Sequence, residues 1–85
     1  MEKQLDYNRA CWASRRGMLE LDLVLEPFVK ECYPGLSTSD QQRYCKLLEC
    51  EDTELFGWFL GRLRPEDEDL ASIVDDILAF ARRPA

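Results

Sequence analysis

Residues 70–81 read Leu70-Ala71-Ser72-Ile73-Val74-Asp75-Asp76-Ile77-Leu78-Ala79-Phe80-Ala81, and this stretch decides the fold class. Leu70, Ile73, Val74, Ile77, Leu78 and Ala81 recur at i, i+3, i+4, i+7, i+8 and i+11. That is the period of one helix face; a half-buried strand would alternate. The acidic run Glu66-Asp67-Glu68-Asp69 stands where negative charge favours a helix N-terminus. Arg82 and Arg83 stand at the other end, where cations are favoured.

The same period holds upstream, between punctuation points at Arg16-Gly17, Pro34-Gly35, Cys50 to Thr53 and Arg64-Pro65. A first helix is expected over roughly 3–15, with Leu5, Tyr7, Ala10, Cys11, Trp12 and Ser14 partly aligned on one face. A second, over roughly 17–33, carries Met18, Leu21, Leu25, Phe28, Val29 and Cys32 on a stripe that Leu19, Leu23 and Val24 widen. It should be the most buried helix. Pro27 lacks an N–H and meets the carbonyl of Leu23, which predicts a kink. A third helix over roughly 38–49 is expected to be capped by Ser37 or Ser39: Ser39-Asp40-Gln41-Gln42 fits a capping box, and Ser37 with Asp40 is the poorer alternative. A fourth runs about 53–61 behind Asp52 as N-cap and stops near Gly61. The expected fold is all-α, a compact bundle of about five short helices forming one domain over residues 1–85.

Composition narrows the chemistry. The chain has 85 residues, 46% of them hydrophobic and 33% charged, which is a globular mixture with a thin core. A net charge of -6 argues against general affinity for nucleic acid or anionic membranes. No apolar run is long enough to span a bilayer, so no direct membrane insertion is expected. Histidine is absent, which removes the commonest general base and nitrogen metal ligand. Cys11, Cys32, Cys45 and Cys50 contain no C-x-x-C pair and read as small hydrophobes of an intracellular protein, with no metal site. The charge is also uneven. Residues 1–16 carry +2 and the remainder carries -8.

The segment from Arg9 to Glu26 holds the least ordinary residues. On a continuing helix Arg16 and Glu20 would lie about 40° apart and form an i,i+4 pair in the weaker order. Gly17 between them disfavours a helix interior by roughly 1 kcal/mol against alanine. It either turns the chain or admits the close approach of another backbone. Trp12 and Met18 read on their own as core residues, because a thin bundle needs large side chains. Glu20 and Asp22 point about 200° apart on a helix, so they form no hydrolytic pair.

Arg16-Gly17-Met18-Leu19-Glu20 is an R-G-x-x-E signature within the block Trp12 to Asp22. Pro27-Phe28, Tyr33, Leu36-Ser37, Leu47-Leu48-Glu49-Cys50, and Asp52 with Leu55-Phe56-Gly57-Trp58-Phe59-Leu60 follow in order. Over roughly residues 7–80 the chain resembles the SdhE-type succinate dehydrogenase assembly factor, or flavinylation factor, family. The resemblance implies a five-helix assembly chaperone, not an enzyme. Its partner would be the flavoprotein subunit of succinate dehydrogenase, and in bacteria also that of fumarate reductase. It would promote covalent attachment of FAD to a histidine of that partner. It also implies that Arg16, Gly17 and Glu20 lie at the partner contact, and Arg9, Trp12 and Met18 extend that set to flanking positions. No cofactor is expected to be held stably by the chain itself, since FAD belongs to the partner. A monomer in the bacterial cytoplasm is expected. Some relatives have carried an antitoxin label, which leaves a regulatory protein binding a toxin or cytoskeletal partner as the alternative.

Overall fold

In the computed structural model, which describes residues 6–83, the elements are α1 (Tyr7–Ala13), α2 (Leu19–Glu31), α3 (Thr38–Leu48), α4 (Asp52–Phe59) and α5 (Glu68–Ala81). A single 3-10 turn, Tyr33–Gly35, links α2 to α3, and there is no strand among the described residues. The all-α reading holds. Residues 3–5 of the first expected helix, Leu5 included, lie outside the described residues.

The amphipathic stripes find each other. Leu70, Ile73, Val74 and Ile77 of α5 are buried against Leu21, Leu25, Phe28 and Val29 of α2 and Tyr44, Cys45, Leu47 and Leu48 of α3. Full burial of each large aliphatic side chain contributes roughly 1.5–3 kcal/mol. The central member is α2, which packs on α1, α4, α5 and the 3-10 turn, while α3 packs chiefly on α5. Phe28 sits between two rings, with Tyr44 at 5.5 Å and Phe80 edge-on at 5.7 Å. The helical segment runs through Pro27 from Leu19 to Glu31.

Helix ends differ from expectation at three places. Ser37, not Ser39, caps α3; its hydroxyl accepts from the Asp40 amide at 3.1 Å. The tight turn over Tyr33–Gly35 hands the chain straight into the helix, and the Gln41 side chain donates to the Tyr33 carbonyl at 2.8 Å. Starting two residues early also satisfies the Gln41 amide at the Ser37 carbonyl. Glu51, not Asp52, precedes the first residue of α4, and the Glu54 carboxylate accepts from the Glu51 amide at 3.2 Å. That releases the Asp52 side chain for another partner. Finally, α1 ends at Ala13 and α2 begins at Leu19, so no helix continues through Arg16.

Other ends follow the sequence. Gly61 (φ +76°) closes α4, with the Gly61 amide on the Trp58 carbonyl and the Arg62 amide on the Gly57 carbonyl, a Schellman arrangement. The acidic run opens α5. Asp67 caps it through the Asp69 and Leu70 amides, and Lys46 of α3 reaches Asp67 at 2.7 Å. Arg43 bridges Asp40 and Asp69, so this run also docks α5 on α3.

Candidate functional site

The loop between α1 and α2 is built from two fixed points and one free one. Ser14, fully buried, donates to the Ala10 carbonyl at 2.7 Å and meets the Tyr44 hydroxyl at 2.6 Å. Two residues on, the Arg16 amide donates to the Asp22 carboxylate at 2.9 Å, which ties the loop to the first turn of α2. Between these ties and α2 stands Gly17, with φ at +77° and no atom within 4 Å of where a Cβ would be. The turn reading of Gly17 is thus correct. Among the described residues, none beyond its two chain neighbours crowds it.

Arg16 does not make the i,i+4 pair with Glu20 that a continuing helix would have allowed. Its side chain is only 16% exposed, and its Nε donates to Asp52 at 2.7 Å. Its Nη1 donates to the carbonyls of Leu48 at 2.8 Å and Ala13 at 3.3 Å, and its Nη2 to that of Cys50 at 2.8 Å. The pair fails because α1 has ended; the loop swings the guanidinium toward the junction of α3 and α4. There it satisfies carbonyls that the end of α3 leaves without helical partners. Glu20, in contrast, is exposed on the first turn of α2, and no hydrogen bond or ion pair engages its carboxylate among the described residues.

Around this loop the surface is unusually apolar. Trp12 is 75% exposed, which overturns its reading as core. On α1 it lies about 60° from Arg9, and both face away from buried Ala10. Leu19 and Leu23 are 68% and 66% exposed, so α2 is not buried all round. With Glu26 and Lys30 they form one line along α2, opposite Leu21, Leu25 and Phe28. A groove between the two helices is bordered by Trp12 and Arg15 on one side and Glu26 and Lys30 on the other. Arg15 spans it to Glu26 at 3.2 Å. Met18 is half-buried and packs against the core.

The remaining chemistry is sparse. All four cysteines are free thiols, with Cys45 buried and the others half-buried. Burial pushes the Cys32 and Cys50 thiols up, away from thiolate reactivity. Among the described residues no group of three or more Cys, Asp or Glu is arranged to hold a metal ion. No helix among them is long and apolar enough to cross a membrane.

The sequence profile of the family described as flavinator of succinate dehydrogenase matches residues 8–81. The chain belongs to that family. A protein of Pseudomonas aeruginosa named FAD assembly factor SdhE is 56% identical over 78 residues, 92% of this chain and 93% of the relative. Its namesake in Pseudomonas putida is 50% identical over the same shares. One in Vibrio vulnificus is 51% identical over 71 residues, 84% of this chain and 83% of the relative.

Within this flavinator fold the expected site residues divide by geometry. Gly17, Glu20, Arg9 and Trp12 are exposed, Met18 is half-buried, and Arg16 is largely enclosed. Sequence reasoning missed Leu19, Leu23 and Arg15 as surface neighbours, and Asp22 and Asp52 as the carboxylates that hold the loop. The position of Asp52 at the start of a helix suggests a cap by local spacing, and only the fold shows it bound to Arg16.

Proposed function

We infer that the protein binds the flavoprotein subunit of succinate dehydrogenase and promotes covalent attachment of FAD to a histidine of that subunit. The observation that carries this reading is the family match over residues 8–81, supported by relatives named FAD assembly factor. The chain has no histidine of its own, so the imidazole that takes the flavin belongs to the client. What the chain contributes is a shaped surface: an open glycine, an exposed carboxylate at Glu20 and exposed Trp12, Leu19 and Leu23. Such a surface acts by holding client, cofactor and histidine in reactive geometry, not by proton transfer. On this reading the protein is no enzyme and FAD stays with the client, in keeping with the lack of a glycine-rich dinucleotide fingerprint. It acts as a monomer in the bacterial cytoplasm, with the fumarate reductase flavoprotein as a second client of the same build.

Deleting the gene and following covalent flavin by in-gel fluorescence tests this. Loss of the fluorescent flavoprotein band, restored by the wild-type chain, is expected. A flavinylated band of unchanged intensity in the deletion strain would sink the reading.

A further inference from the structure

A guanidinium has five N–H donors, and Arg16 directs four of them to its own chain: Nε–H to Asp52, both protons of Nη1 to Leu48 and Ala13, and one of Nη2 to Cys50. These acceptors belong to the end of α1, the end of α3, the following turn and the start of α4. The backbone of the same residue is held separately by Asp22. A side chain so engaged has one donor left to offer and little surface. The next residue, Gly17, has φ at +77° and open space around it.

We propose that Arg16 serves client binding from within the fold, as a positioning residue locked by Asp52, and that Asp52 is therefore a functional member of the site. The proposal rests on the flavinylation reading and deepens it. The guanidinium clasp fixes where the chain leaves α1, and the Asp22 bond fixes where it enters α2. Between the two, the peptide planes of Gly17 are set in one orientation before any client arrives. Arg9 and Arg15, with side chains 78% and 66% exposed, supply the cations that an incoming surface meets. A bidentate-capable planar fork is what this arrangement requires; the lysine ammonium cannot span three carbonyls and a carboxylate in one plane.

The test uses the full chain and the purified flavoprotein subunit of succinate dehydrogenase, with Arg16→Lys, Arg16→Gln, Asp52→Ala and the double variant Arg16→Gln/Asp52→Ala. Affinity is measured by calorimetry, and exchange of the residue-16 amide, which donates to Asp22 at 2.9 Å, is measured on each free protein. Asp52→Ala is expected to weaken binding by about fivefold to tenfold and to speed exchange at the residue-16 amide while far-UV circular dichroism is unchanged. Arg16→Lys should bind no better than Arg16→Gln, and the double variant no worse than Arg16→Gln alone. Full binding by Arg16→Lys would overturn the proposal, since the client would then be reading a charge. So would additive losses, or loss at Arg16→Gln with Asp52→Ala unaffected. Failure of the wild-type chain to bind the flavoprotein would count against the functional reading, and the exchange measurements would still decide whether Asp52 sets the loop.

Discussion

Tyr44 donates its phenol proton to the Ser14 hydroxyl across 2.6 Å, joining the residue that ends α1 to the middle of α3. The direction follows from proton count: Ser14 has one hydroxyl proton, and the Ala10 carbonyl, which can only accept, takes it at 2.7 Å. Both oxygens are buried, and among the described residues no buried side-chain polar atom lacks a partner.

Removing the acceptor should therefore cost more than removing the donor. Ser14→Ala leaves a buried phenol unpaired and is expected to destabilise by about 1–3 kcal/mol. Tyr44→Phe keeps the Ser14 bond to Ala10 and should cost about 1 kcal/mol. The double variant should fall short of the sum, read as thermal midpoints that shift by about 4–8 °C per kcal/mol. Strict additivity would deny the coupling.

The same phenol predicts an alkaline limit. Burial is the main cause that raises the Tyr44 pKa well above its ordinary value of 10.0. The folded chain thus keeps a proton that the unfolded chain releases near pH 10. Its contribution is complete below that pH and is lost as pH rises toward the folded value. Urea midpoints of the wild type should fall steeply above pH 10, and those of Tyr44→Phe less so. Parallel curves would refute this origin.

Gly17 allows the turn and the contact to be separated. Gly17→Ala should cost about 1–2 kcal/mol from the left-handed backbone alone, without unfolding, since no atom lies within 4 Å. Asparagine tolerates that backbone, so Gly17→Asn should keep a thermal midpoint close to wild type. If close approach of the client is what demands glycine, Gly17→Asn will still lose flavoprotein binding in a pull-down. Retained binding would leave the glycine serving the turn only.

The two tryptophans should behave oppositely. Trp12, 75% exposed, is expected to change stability by no more than about 0.5 kcal/mol when replaced by alanine. Trp58, 9% exposed, should cost about 3–5 kcal/mol. In acrylamide quenching, Trp12→Phe should remove the accessible part of the fluorescence and leave the shielded part.

The helices were legible where, as in α5 and α3, the large apolar residues keep to one side. For α2 the stripe was less informative. Leu19 and Leu23 sit nearly opposite Leu21 and Leu25, so apolar residues ring most of the helix and the pattern cannot say which arc meets the core. That ambiguity hid the exposed leucines, and a similar one hid Trp12. Capping misled for a different reason. Ser37 and Ser39, or Glu51 and Asp52, are chemically near-equivalent; the choice depends on how the preceding turn delivers the chain. The destination of Arg16 was beyond reach from local spacing, because its partners come from α3, α4 and the turn between them. The signature residues cluster on the loop between α1 and α2 and the start of α2, as their spacing implies, while the division between enclosed and open members needed the fold.

Three of the four acceptors of Arg16 lie 32 to 36 residues away along the chain. Contacts of that separation close a long loop, so they are expected to form after the local helices and to be absent from the folding transition state. Loss of the clasp should then quicken unfolding far more than it slows refolding, a difference that stopped-flow chevrons of Arg16→Gln would display. The loop acquires its shape only when α1, α3 and α4 have come together, so a nascent or half-folded copy carries the signature residues without offering clients the surface they make.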